Sequence, residues 1–169
     1  TCALPILDSE AARENLHGIE VFGLSVEELR KRLWQPEQIW VVENETALYM
    51  LPDMKNGLAI WSRGKALSLL KDIPLLSGTT LYYWGDLDEE GFKMLNDFRA
   101  LYPHTESRYM DSPCIMHHLQ YLDVQPKFYR KENIDLLTEE ESAAFTLLVQ
   151  KNGRLEQEKI LQNYVNELK

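Results

Sequence analysis

Apolar positions in this chain come in short unbroken runs with helix-like periodicity between them. Ile39-Trp40-Val41-Val42, Gly57-Leu58-Ala59-Ile60-Trp61 and Leu81-Tyr82-Tyr83-Trp84 are continuous stretches rich in strand formers, the pattern of strands covered on both faces. Behind each run the apolar residues move to helical spacing. The first helix spans about Glu45 to Leu51 and is stopped by Pro52. The second carries Ala66, Leu67, Leu69 and Leu70. The third, from Asp88 to about Tyr102, carries Phe92, Leu95, Phe98 and Leu101. A fourth strand is expected over Glu106 to Met110, ending at Asp111. Strand and helix alternating with short links predict right-handed crossovers and an α/β fold: a parallel sheet of about four strands flanked by helices.

The two ends of the chain read differently. Asp8 to Leu16 predicts a short polar helix and Ile19 to Phe22 a short strand. Ser25 and Glu28 form a capping box that opens a helix over 25–33, before Pro36 breaks the pattern. Residues 1–36 are thus expected as an N-terminal segment and 37–169 as the main domain. At the other end, Thr138 and Glu141 form a second capping box, and 138–168 predicts two helices, 138–149 and 154–168, broken at Asn152-Gly153.

Size and apolar content, 169 residues and 44% hydrophobic, suit one compact domain with a full core. Charge adds a constraint. With 27 acidic against 18 basic residues and a net charge of -9, the surface repels a polyanion at long range. A nucleic-acid substrate would need a basic patch, a bound cation, or another domain or subunit to hold it. No run is long enough to cross a bilayer and no signal peptide opens the chain, so a cytoplasmic protein without membrane contact is expected. Cys2 and Cys114 make no disulfide framework. A start at Thr1 suggests a piece of a longer protein.

The candidate chemistry sits where strands end. Gly85-Asp86-Leu87-Asp88 closes the third apolar run and Glu43 closes the first. Ligands of open parallel sheets collect beyond the carboxyl ends of strands, and residues two apart in an extended segment point to the same side. If the first and third strands are neighbours, Glu43, Asp86 and Asp88 converge. Two such charges ~5 Å apart at an effective dielectric near 20 repel by ~3 kcal/mol, so a proton or a metal ion is needed. Oxygen donors suit Mg²⁺ or Mn²⁺, and Glu43 is also a candidate general acid or base. The competing reading gives these acids backbone work, with Asp88 as the N-cap of the following helix and Asp86 as a turn residue. Glu43 on the opposite rim from Asp86 and Asp88, or an arginine or lysine already neutralising them, would defeat the enzymatic reading. Arg63, Gly64 and Lys65, where the second strand turns into a helix, could meet a phosphate or form a solvated turn. Glu45 could assist the site, or simply favour the first turn of its helix.

Val41-Val42-Glu43-Asn44 followed by Gly85-Asp86-Leu87-Asp88 resembles the Toprim pattern of topoisomerases, primases and related nucleases. Trp40 to Thr46, Tyr83 to Asp88 with Gly91-Phe92, Tyr109-Met110-Asp111 and Arg154-Leu155-Glu156-Gln157-Glu158 together resemble the C-terminal domain of JetD, the nuclease subunit of the bacterial Wadjet anti-plasmid system. The resemblance implies a fold related to the topoisomerase VI A subunit and a divalent-metal site on Glu43, Asp86 and Asp88. It also implies cleavage of plasmid DNA presented by an SMC-like motor complex. Upstream domains, including a winged-helix-type region, come with it, so the isolated piece is expected to be inactive. A homodimer of the full-length protein is expected because cutting both strands needs two active centres. Glu156 or Glu158 becomes a candidate at the site's edge, although on a helix the two would not share a face. Asp111 is a further candidate, with a turn role as its alternative.

Other features point elsewhere. Cys114, His117 and His118 hint at zinc but lack a fourth ligand at sensible spacing. Tyr82, Tyr83 and Tyr109 are nucleophile types that strands ordinarily bury. Two rivals to a nuclease remain. One is another Asp-x-Asp phosphoryl-transfer enzyme, although an aspartyl-phosphate phosphatase would place that pair after its first strand. The other is a catalytically inactive Toprim-like module that docks partners.

Overall fold

The computed structural model describes residues 2–5, 8–32, 34–62, 64–124 and 134–167. The chain opens with β1 (Cys2–Pro5), α1 (Ser9–Leu16), β2 (Val21–Leu24) and α2 (Val26–Arg30). β1 and β2 pair antiparallel as a separate ribbon. Asp8 caps α1 through the Ala11 amide, and Ser25 with Glu28 forms the capping box of α2. That helix stops at Arg30, short of the expected Leu33.

The main sheet follows. β3 (Gln38–Val42), α3 (Glu45–Met50), β4 (Gly57–Trp61), a 3₁₀ segment (Gly64–Leu70), α4 (Pro74–Ser77), β5 (Thr80–Trp84), α5 (Glu89–Leu101) and β6 (Glu106–Ser107) come in that order. The strands align as β4-β3-β5-β6, all parallel. This is the α/β architecture expected from the alternating pattern, consistent with a Toprim-like fold. β3 is central because Ile39 to Val42 can be covered on both faces, and all four are buried. From α5, Phe92, Leu95 and Phe98 pack fully buried against the sheet, where Phe98 meets the Tyr83 ring at 5.8 Å.

β6 is shorter than the expected 106–110. The chain leaves the sheet when Tyr109 takes a positive φ of 60°, which ends extended pairing. Asp111 then caps α6 (Ser112–His117) by accepting the Cys114 amide at 2.7 Å.

The tail departs most from expectation. After β7 (Asp123–Val124), α7 (Glu139–Lys151) ends on Asn152 in the left-handed conformation. Residues 154–168 do not form one helix. β8 (Gly153–Arg154) pairs antiparallel with β7, Leu155 bridges to Leu87, and 157–159 is a single 3₁₀ turn; only α8 (Gln162–Glu167) is helical. Leu155 and Gln157 are fully buried while Arg154 and Glu156 are half-exposed. That alternation has a period of two and selects an extended chain. A buried fork from Arg99 on α5 to Glu141 on α7, at 2.6 and 2.7 Å, locks the tail helix onto the domain. Among the described residues no helix is long and apolar enough to cross a membrane.

Candidate metal centre

The register of the two central strands builds the site. Val42 lies opposite Trp84, so the next residues, Glu43 and Gly85, leave the sheet side by side. The Glu43 amide donates to the Trp84 carbonyl at 3.2 Å, carrying the ladder one residue further. Glu43 Oε2 then reaches across and accepts the Asp86 amide at 3.0 Å. Two acids far apart in sequence meet because two parallel strands end level.

Asp86 is 5% exposed, and each of its oxygens is held. Oδ1 accepts from Asn44 Nδ2 and from the Gln157 amide, both at 2.9 Å. Oδ2 accepts from Arg154 Nη2 at 3.3 Å. Asp88 divides its oxygens. Oδ1 caps α5 through the Gly91 amide at 2.9 Å, and Oδ2 lies 3.3 Å from Arg154 Nε. The capping role expected of Asp88 and a place at the rim of the site therefore coexist on one side chain. Arg154 Nη2 also lies 3.0 Å from Glu156 Oε1, and Glu158 Oε2 lies 3.4 Å from Asn44 Nδ2.

The extended tail thus brings both Glu156 and Glu158 to this rim. Asp111 is engaged in capping α6, and Glu45 stands exposed in the first turn of α3. Arg63 and the side chain of Lys65 lie outside the described residues; Gly64 opens the 3₁₀ segment.

Electrostatics show how crowded the acids are. Burial pushes Glu43 up to about 7, Asp86 beside it adds repulsion, and the amide bond from Asp86 offsets part of the rise. Burial pushes Asp86 up to about 6, against the Gln157 amide; Asp88 raises it further and Arg154 lowers it. Among the described residues one guanidinium meets these acids, and it leaves them short of positive charge. Carboxylates that retain protons this close to neutrality are carboxylates an added cation would stabilise.

The residues suit a hard divalent cation in kind, since every donor is an oxygen. A Cβ on Gly85 would come 3.0 Å from Glu43 Oε2 and 3.1 Å from the Tyr83 hydroxyl, so bare backbone makes room for the carboxylate. The Tyr83 hydroxyl is fully buried and has no hydrogen-bond partner among the described residues. It ends beside the same point, a polar atom awaiting an acceptor. Among the described residues, however, no three His, Cys, Asp or Glu side chains already stand as a ligand set. Arg154 occupies the ground between Asp86 and Asp88.

Asn44, Arg154 and Gln157 belong to the site without having been singled out from the sequence. Gln157 is fully buried: its amide nitrogen donates to the Trp84 carbonyl, and its oxygen accepts the Asn44 amide, each at 2.8 Å. With Leu155 the one apolar residue in Arg154-Leu155-Glu156-Gln157, no hydrophobic pattern in the sequence marked Arg154 or Gln157.

The Cys114, His117 and His118 cluster has a different use. His118 is fully buried, with Nδ1 2.7 Å from the Cys114 carbonyl and Nε2 accepting the Leu161 amide. Nδ1 is taken up within α6 and Nε2 joins that helix to the tail, which leaves neither for zinc. The Tyr109 hydroxyl donates to the Val165 carbonyl.

A family model described as Wadjet protein JetD, C-terminal, matches residues 3–168. No curated protein matches the chain.

Proposed function

We propose, for a chain that belongs to the Wadjet JetD C-terminal family, that it is a divalent-metal-dependent DNA endonuclease domain. Membership supports a role in the Wadjet anti-plasmid system and partnership with its SMC-like complex. The carrying observation is the meeting of Glu43 and Asp86 across level strand ends, with Asp88 turned to the same rim.

In this reading Glu43, Asp86 and Asp88 hold Mg²⁺ or Mn²⁺. A bound ion would screen the acids from a phosphodiester and stabilise charge on the attacking or leaving oxygen. The chain supplies the rest. Asn44 and the Gln157 amide fix Asp86 by its Oδ1 and keep Oδ2 facing the rim. The cap on α5 does the same for Asp88. The Asp86 amide holds Glu43 Oε2 and leaves Oε1 for the ion or, in the role of general acid or base, for a proton.

Plasmid DNA is the substrate in this proposal. A homodimer of the full-length protein would supply one centre for each strand. The Arg154 contact is the observation that favours the rival reading of an inactive docking module.

Cleavage assays on plasmid DNA decide, using the full-length protein in its complex. Glu43→Ala is expected to abolish divalent-metal-dependent cutting while leaving complex assembly intact. Undiminished cutting by that variant would overturn the assignment.

A further inference from the structure

Arg154 is held in a way that suits release. Its side chain is 36% exposed; it meets Glu156 at 3.0 Å, outside the proposed ligand set, but Asp86 and Asp88 only at 3.3 Å each. The buried fork from Arg99 to Glu141 closes at 2.6 and 2.7 Å, within the short range of well-seated charge-assisted bonds. Arg154 Nε is buried without a geometrically sound hydrogen bond, even with Asp88 Oδ2 facing it. One arginine fastens two elements; the other rests against acids it does not fit.

The backbone beneath Arg154 does not share this looseness. β8 pairs with β7, and Leu155 exchanges both backbone bonds with Leu87, at 2.9 and 3.1 Å. Movement is therefore confined to a long side chain with one face to solvent. The oxygens it touches, Asp86 Oδ2 and Asp88 Oδ2, are the ones their other partners leave over. Asp86 Oδ1 is held by Asn44 and Gln157, and Asp88 Oδ1 by the helix cap.

We propose that Arg154 is a tethered counter-cation seated on the Asp86 and Asp88 oxygens of the metal site, so that a divalent ion enters only as the guanidinium withdraws. This rests on the metal-site reading given above. It accounts for two facts together: the acids are crowded enough for an ion, and no ligand set stands assembled among the described residues. The arginine offsets the repulsion among the rim acids and sets a threshold on metal loading. A double-positive ion must replace its contacts as well as bind.

Titration of the 169-residue chain with Mn²⁺ alone, followed by calorimetry, tests this without reference to cleavage. Arg154→Gln is expected to bind Mn²⁺ about tenfold more tightly than the parent, since the ion no longer has to displace a cation from the acids. Arg154→Lys separates occupancy from field. It keeps the charge but cannot grip three carboxylates with one fork, and it is expected to recover at least half of the gain on a logarithmic scale. Glu43→Gln should bind weakly in every background.

Parent-like affinity in both arginine variants, or in Arg154→Lys alone, overturns the proposal while leaving the metal site standing. Weaker binding in Arg154→Gln does the same and makes the arginine a support of the site. Absence of Mn²⁺ binding in the parent and all variants overturns the metal-site reading itself. Thermal melts in chelator confirm that each variant is folded.

Discussion

Glu43 and Asp86 hold protons that an unfolded chain would release near their ordinary values of 4.5 and 3.8; in the fold they hold them up to about 7 and 6. Between those limits the folded state binds more protons, so metal-free stability falls as pH rises through about 4.5 to 7 and levels off above. The lowered acids Asp8, Glu28, Asp53 and Glu141 work in the opposite sense, below 3.8 to 4.5, and do not mask the effect. Melting curves in chelator across pH 5 to 8 should show Glu43→Gln losing less stability than the parent; parallel curves would dismiss Glu43 as the titrating group. The same protons compete with an ion, so Mn²⁺ affinity should climb toward pH 7 and then flatten. Glycines test the geometry at this scale. A Cβ on Gly91 would overlap the Asp86 carbonyl oxygen, whereas one on Gly78 meets nothing within 4 Å. Gly91→Ala is expected to cost about 3 kcal/mol or more, because backbone cannot yield as a side chain can. Gly78→Ala should be near neutral by denaturant unfolding.

The elements that carry Glu43, Asp86 and Asp88 were legible in the sequence because each is declared locally. Unbroken apolar runs mark β3, β4 and β5, and the acids follow within a few residues of the strand ends. The tail was not legible in the same way. Residues 154–168 contain apolar positions that also fit a helix, and what overrides that pattern is tertiary: Leu155 pairing with Leu87 and Gln157 buried between two strand ends. Local propensity cannot register a partner some seventy residues away. Arg154 and Gln157 escaped for that reason, although their neighbours Glu156 and Glu158 were marked by family resemblance. Gln157 now carries a prediction about the element as a whole. Its side chain closes two buried bonds, to the Trp84 carbonyl and the Asn44 amide, and its backbone holds Asp86. Gln157→Ala should destabilise the chain by about 2–4 kcal/mol through unsatisfied buried groups. It should also weaken Mn²⁺ binding, because Asn44 and Asp86 lose their alignment. A loss of stability with unchanged Mn²⁺ affinity would make the tail a mere brace.

At the scale of the molecule, net charge sets what this chain can do alone. A surface carrying -9 works against a polyanion, and the described rim of the site adds Glu43, Asp86, Asp88, Glu156 and Glu158 against one arginine. Filling that rim with a divalent ion removes only a small part of the imbalance. DNA affinity ordinarily comes from several phosphates neutralised by lysine and arginine, with counterion release as the driving term. An acidic domain lacks the means for it. On the function proposed above, the centre would act on a phosphodiester only with further domains or the SMC-like partners pressing the duplex against it. Fluorescence anisotropy with a labelled duplex should therefore show no saturable binding by the 169-residue chain at about 0.15 M salt, with or without Mn²⁺. Lowering the salt should help little, since repulsion between like charges strengthens as screening weakens. Tight binding with a steep inverse salt dependence would mean that a basic face gathers the DNA on this chain, and the division of labour between centre and holder would have to be abandoned.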